Sequence, residues 1–217
     1  MVKILSENRF LFITWSFLLL LGCAFSAIHG KSGTHLLINN LHNNFLDPFM
    51  LIITNLGDGS VMVIIAIVLL FLKIRYSLIL ISSFLATSLF VQFLKKAVFP
   101  GLPRPVKFFN GTEISLHLVD GLKYHSYYSF PSGHAATAFA LFIGLALIVK
   151  NHYLKYLFLL TACIVAFSRA YLSQHFLIDC LAGSVIGVSF ALIFHYWFIR
   201  IDRKYLDLPI YKALGSK

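Results

Sequence analysis

Residues 129–142 read Ser-Phe-Pro-Ser-Gly-His-Ala-Ala-Thr-Ala-Phe-Ala-Leu-Phe, placing Pro131, Ser132, Gly133 and His134 directly in front of a run apolar enough to enter a membrane. Serine or glycine beside a proline suits the first turn of a helix, where the leading N–H groups have no intrahelical partner. Capping alone has no use for His134. The rest of the chain is therefore read outward from a membrane helix whose polar end carries a chemically active side chain.

Composition supplies the frame. Hydrophobic residues make up 59% of the chain, charged residues 12%, and mean hydropathy is +0.84. Soluble domains average about 45–50% apolar and about 25% charged residues. The chain is thus expected to be an integral membrane protein. Its net charge of +10 does not imply nucleic acid, because such binders gather basic residues on one face of a soluble fold, whereas here they lie between apolar segments. Cys23, Cys163 and Cys180 all fall within apolar runs. That placement suits packing and supports neither a disulfide framework nor a Cys-x-x-Cys metal site.

A span needs about 20 apolar residues, and six segments qualify with their flanks: 10–28, 60–72, 76–98, 134–149, 153–167 and 176–199. Between the first two, residues 35–56 carry apolar side chains at helical spacing, interrupted by Asn39, Asn40, His42, Asn43 and Asn44. This pattern predicts a helix lying at the interface, ended by the Gly57-Asp58-Gly59 turn. The expected fold is all-α, a single polytopic membrane bundle over 1–217, with about six transmembrane helices plus the interfacial one. The first segment is long enough to remain as an anchor over 1–28, although its basic start and small residues at 22–27 resemble a signal peptide. The longest polar connection is 99–130.

Basic residues set the orientation. With the N-terminus inside, Lys3, Arg9, Lys73, Arg75, Lys150, Lys155, Arg200, Arg203, Lys204, Lys212 and Lys217 face the cytoplasm, eleven of the 18. The other seven, Lys31, Lys95, Lys96, Arg104, Lys107, Lys123 and Arg169, face out. Most of these crowd into two places, as if kept there for a local purpose.

Three polar blocks then share the outer face. Lys95-Lys96 through Arg104-Pro105 closes the third span, Pro131-Ser132-Gly133-His134 opens the fourth, and Ser168-Arg169 through His175 and Asp179 joins the fifth to the sixth. His175 and Asp179 are four apart at a helix start and so share one face. An ionised aspartate inside a span is costly unless partnered, which makes Asp179 a candidate functional residue.

Together the blocks resemble the type 2 phosphatidic acid phosphatase (PAP2) superfamily, whose signature is a Lys…Arg-Pro block, Pro-Ser-Gly-His, and Ser-Arg-x5-His-x3-Asp. The second and third match without a gap. The first departs by one residue, with seven positions between Lys96 and Arg104 where the family usually has six, so either Lys96 or Lys95 fits the lysine role. The resemblance covers about 44–197.

The resemblance implies His175 as nucleophile, Asp179 as its orienting partner and His134 as the acid for the leaving oxygen. It implies Lys96, Arg104, Ser132, Gly133 and Arg169 as phosphate-binding groups. It implies no cofactor and no metal: His and Asp also bind zinc, but three neighbouring cations repel a metal ion and attract phosphate. The expected substrate is a phosphorylated membrane lipid of the undecaprenyl pyrophosphate, phosphatidylglycerophosphate, phosphatidate or lipid A class, cleaved through a phosphohistidine at the periplasmic face of a bacterial inner membrane. Rival readings are a phosphatase of soluble phosphate esters, a vanadate-dependent peroxidase and a non-catalytic lipid transporter on the same scaffold. His29, His35, His42, His117, His125, His152 and His195 are read as structural, and Phe108, Phe109, Tyr124, Tyr127, Tyr128 and Phe130 as an interfacial aromatic belt.

Overall fold

From the N-terminus, the computed structural model, which describes residues 1–215, runs through a short helix α1 (Val2–Glu7) into the long α2 (Arg9–Asn39). The bent pair α3 (Leu46–Ile53) and α4 (Gly59–Leu70) follows, joined by a 3-10 turn, Thr54–Gly57. Then come α5 (Ile74–Phe93), a π-helical turn at Leu94–Val98, and the short helix α6 (Pro105–Phe109). The bundle closes with α7 (Gly133–Ile148), α8 (His152–Tyr171), α9 (Leu177–Arg200) and a small terminal helix α10 (Ile210–Gly215). The described residues contain no strand.

Every expected span coincides with a helix, but the spans are not equivalent. α2, α5 with its π turn, α8 and α9 are each long and apolar enough to cross a membrane. The α3–α4 pair qualifies only together, bent by 55° at Asp58. α7 has 16 residues, about 24 Å of rise against a hydrocarbon core of about 30 Å. It is also the helix most enclosed by protein: Ala135 through Gly144 are buried.

That enclosure rests on small residues. Added β-carbons would lie 2.6 Å from the Ser132 carbonyl oxygen at Gly183 and 2.3 Å from the Ala136 carbonyl oxygen at Gly187. The two glycines, four apart on α9, let that backbone approach α7 closely. A methyl group there overpacks the interface, a class of change that costs about 1–3 kcal/mol. Gly57 makes the same kind of approach from the other side, where a β-carbon would stand 3.0 Å from the His134 carbonyl oxygen and 2.8 Å from Val165. The N-terminus of α7 is thus held between the α9 start and the 3-10 turn.

The predicted interfacial helix over 35–56 differs from what forms. Residues 35–39 continue α2 beyond a break at Gly30, whose φ of 67° suits glycine, and α3 starts afresh at Leu46. The reason is local: the Asn43 side chain accepts from the Phe45 and Leu46 N–H groups at 3.0 and 2.8 Å, an asparagine turn that competes with helix. At the opposite end of the bundle, Arg75 forks onto Asp207 at 3.0 and 2.7 Å, tying the start of α5 to the C-terminal segment.

Candidate active site

His175 lies in the five-residue turn between α8 and α9, fully enclosed at 2% exposure. The turn is built on Arg169, whose carbonyl oxygen accepts from the backbone N–H groups of Gln174 and His175 at 3.0 and 3.1 Å. Ser173 adopts φ 52°, an uncommon conformation for a residue with a β-carbon. Its hydroxyl oxygen is 3.2 Å from His35 Nε2 and accepts from Asn39 Nδ2 at 3.3 Å, and these contacts anchor the strained residue.

Asp179, in the first turn of α9, is equally buried. Its Oδ2 accepts from the Phe176 backbone N–H at 3.0 Å and from the Ser129 hydroxyl at 2.5 Å. The same oxygen faces His175 Nδ1 at 3.6 Å, longer than a hydrogen bond but within reach of one by a small shift. With Nδ1 turned to a carboxylate, Nε2 is the nitrogen left with a lone pair. Burial, assisted by Arg104 and Lys95, outweighs Asp179 and holds the His175 imidazole well below its ordinary pKa, so the ring is neutral at physiological pH.

The cations converge on this pair. Arg169, 7% exposed, donates from Nη1 to the Thr54 hydroxyl at 2.7 Å, while its Nε is buried without a hydrogen-bond partner among the described residues. Arg104 donates from Nε to the Tyr127 carbonyl at 3.0 Å and from Nη1 to the Gln174 carbonyl at 3.3 Å. The outer loop holds it there through paired backbone bonds, Arg104 N–H to Ser126 O and Ser129 N–H to Leu102 O. His134, at the head of α7, sits within electrostatic range of Arg169, Arg104, Lys95 and Asp58.

The lysine of the cluster is Lys95. It is buried, within electrostatic range of Arg104, Arg169 and Asp179, whereas Lys96 points outward and is exposed. Of the two lysines that spacing left open, the fold turns Lys95 inward and Lys96 outward at the π turn, closed by the Phe99 N–H to Leu94 O bond at 2.7 Å. A π turn takes an extra residue and rotates its neighbours relative to a regular helix.

Ser132 and Gly133 stand where the sequence places them, at the α7 N-terminus, but Ser132 is already occupied. Its hydroxyl oxygen accepts from the Ala135 N–H at 3.4 Å as the helix cap, and its N–H donates to the Asp179 carbonyl at 2.9 Å. Its hydroxyl hydrogen is the one donor this side chain can offer an anion. Three further polar residues, Ser129, Thr54 and Gln174, hold Asp179, Arg169 and Arg104, and sequence spacing pointed to none of them. Of the expected aromatic belt, Phe109 is buried against His35, and the Tyr124 hydroxyl bonds the Val119 backbone. These two pack the outer cap instead of facing lipid.

An imidazole backed by a carboxylate, a second histidine and three cations, two of them buried, thus lie together at one end of the bundle. The PAP2 superfamily profile matches residues 76–203, well over half of the chain. The chain belongs to the PAP2 superfamily. Undecaprenyl-diphosphatase BcrC of Bacillus subtilis (strain 168) is 26% identical over 197 residues, covering 89% of this chain and 92% of that protein. The crystal structure of Aquifex aeolicus LpxE superposes with a TM-score of 0.64 at 27% identity, covering 75% of this chain and 92% of the other. The PAP2-type phosphatidylglycerolphosphate phosphatase of Bacillus subtilis shares the fold, with a TM-score of 0.67 at 21% identity over 94% of this chain and 99% of that one. The chain is accordingly an integral membrane PAP2 protein of the phosphoric ester hydrolase class.

Proposed function

We propose that the protein hydrolyses a phosphate monoester or pyrophosphate carried by a membrane lipid, at the periplasmic face of a bacterial inner membrane, through a phosphohistidine on His175. The observation that carries the reading is the convergence of Lys95, Arg104 and Arg169 on the buried His175–Asp179 pair, with a buried Arg169 Nε–H lacking a partner among the described residues. His175 Nε2 attacks phosphorus as the bond to the lipid oxygen breaks, and Asp179 stabilises the imidazolium that forms. His134 gives its proton to the departing oxygen. The three cations and the Gly133 N–H hold the charge that develops on the nonbridging oxygens. Water then attacks the phosphohistidine, with His134 returning as base, and inorganic phosphate leaves.

The excess of basic residues on the opposite face supports the periplasmic placement. The likeness to an undecaprenyl-diphosphatase along nearly the whole chain makes a polyprenyl diphosphate the first substrate to test. Purified protein is expected to release phosphate from undecaprenyl diphosphate or, failing that, from phosphatidylglycerophosphate, phosphatidate or lipid A phosphates. Release from none of them, or from water-soluble esters alone, overturns the lipid reading.

Two further outcomes follow from the same geometry. The cations occupy the place that magnesium fills in many phosphoryl-transfer sites, so turnover at 25 °C should persist in excess EDTA; abolition by EDTA with recovery on adding Mg²⁺ contradicts the mechanism. Ser129→Ala removes one charge-assisted bond from Asp179, so kcat should fall about tenfold with KM little changed. Wild-type turnover in that variant means that Ser129 does not position the carboxylate.

A further inference from the structure

Outside the catalytic cluster, His42, Asp47 and His117 bring their ligand atoms within 4.8 Å of one another on the same outer face. They come from three separate segments: the turn after α2, the first turn of α3, and the outer loop. His42 Nε2 is 2.9 Å from the Tyr171 backbone carbonyl, which only accepts, so this nitrogen carries the proton. His42 Nδ1 then faces Asp47 Oδ1 at 2.8 Å, and that oxygen already accepts the Tyr171 hydroxyl at 2.5 Å. In a neutral His42, lone pair would meet lone pair. A cation between the two atoms resolves that conflict.

The third residue adds a ligand atom to the pair. His117 Nε2 is 3.1 Å from Asp47 Oδ2, and the two imidazole rings lie 4.2 Å apart, centre to centre. His117 thus turns a ligand atom to the same carboxylate, and ligand atoms from three segments converge within 4.8 Å of one another. One divalent ion satisfies all three groups at once.

We propose that His42 Nδ1, the Asp47 carboxylate and His117 Nε2 form a binding site for a divalent transition-metal ion of the zinc class. Two imidazoles and a carboxylate are a common zinc set, and ligands at about 2.0–2.2 Å in a tetrahedron lie about 3.3 Å apart. The observed 2.8 and 3.1 Å separations need to widen by a few tenths of an ångström, and the two imidazole nitrogens, within 4.8 Å of each other, to settle at the same spacing. The outer shell is in place, since His42 donates its other N–H to a backbone carbonyl and Asp47 is held by Tyr171, as metal-binding histidines and carboxylates require. His117 is also fixed: the Asn39 side chain donates to its carbonyl and accepts from its N–H, both at 2.9 Å. The His42 side chain is 4% exposed and the His117 side chain 54%, which gives the ion an entry path from the His117 side.

The site has a structural consequence. Tyr171 ends α8, two residues after Arg169 and four before His175, so an ion here ties the outer loop and the start of α3 to the helix that carries the catalytic turn. This assignment is independent of the phosphatase reading. The full chain, purified in detergent and stripped with chelator, is to be titrated with ZnCl2 and, separately, with CoCl2. Wild type should take up about one zinc per chain, gain thermal stability, and show the visible absorption of a tetrahedral cobalt(II) site. His117→Ala, altered at the exposed rim, should lose at least about tenfold in affinity and the cobalt absorption, while hydrolysing lipid phosphate in EDTA at the wild-type rate. Tyr171→Phe keeps all three ligands and should bind about tenfold more weakly. Absence of stoichiometric zinc uptake by wild type, or wild-type affinity in His117→Ala, overturns the proposal.

Discussion

His175→Ala reduces lipid-phosphate hydrolysis to background, because it deletes the nitrogen that bonds phosphorus and leaves no neighbouring nucleophile to take its place. The His134→Ala variant behaves differently. It retains the nucleophile and loses the acid, whose assistance is typically worth about 10²–10⁴-fold and matters most when the departing oxygen is a strongly basic lipid alkoxide. A pyrophosphate or nitrophenyl phosphate, whose leaving group needs little protonation, should therefore suffer far less in His134→Ala than an alkyl monophosphate. Rapid quenching without acid, using a substrate labelled at phosphorus, should trap acid-labile, alkali-stable label on wild type and on His134→Ala, and none on His175→Ala. Label surviving in His175→Ala moves the nucleophile elsewhere. Equal losses on both kinds of leaving group remove His134 from the acid role.

How much of this was legible in the sequence depends on where each contact comes from. His175 and Asp179 were readable because helical spacing puts positions four apart on one face, and both stand at a helix start that the hydropathy pattern marks. The closeness of α7 to α9 had a trace in Gly183 and Gly187, but only the partner backbone at Ser132 and Ala136 shows what those glycines admit. Ser129 reaches Asp179 across 50 residues, and Thr54 reaches Arg169 across 115. Neither separation leaves a periodic signal, so a serine two residues before a proline and a threonine in an apolar run read as ordinary. The helix predicted over 35–56 failed for a local reason, since Asn43 offers the Phe45 and Leu46 N–H groups an acceptor that ends one helix and starts the next. His42 and His117 were read as structural because each is isolated in sequence. Their relation exists only once Asn39 has clamped the outer loop against α2.

Lys95 and Lys96 separate what spacing suggested from what the fold does, and their alanine variants should differ widely. Lys95 is enclosed with Arg104 and Arg169 around a single carboxylate, Asp179, an arrangement with more positive than negative charge before any substrate arrives. Such a cluster opposes folding through like-charge repulsion and gains when an anion enters. Lys95→Ala should therefore lower kcat/KM by about 10²–10³-fold, the range found when one donor to a developing oxyanion is removed, while thermal stability holds or rises as repulsion is relieved. Function and stability move in opposite directions at such a residue, which distinguishes a lysine kept for its ligand from one kept for packing. Lys96→Ala, on the exposed side of the π turn, should stay within about threefold of wild type in kcat/KM, since exposed charges interact weakly through water. Phosphate-release kinetics and a melting curve on the two variants decide the matter. A large loss in Lys96→Ala with little in Lys95→Ala returns the role to the lysine that spacing favoured, and a fall in both activity and melting temperature for Lys95→Ala makes its burial structural.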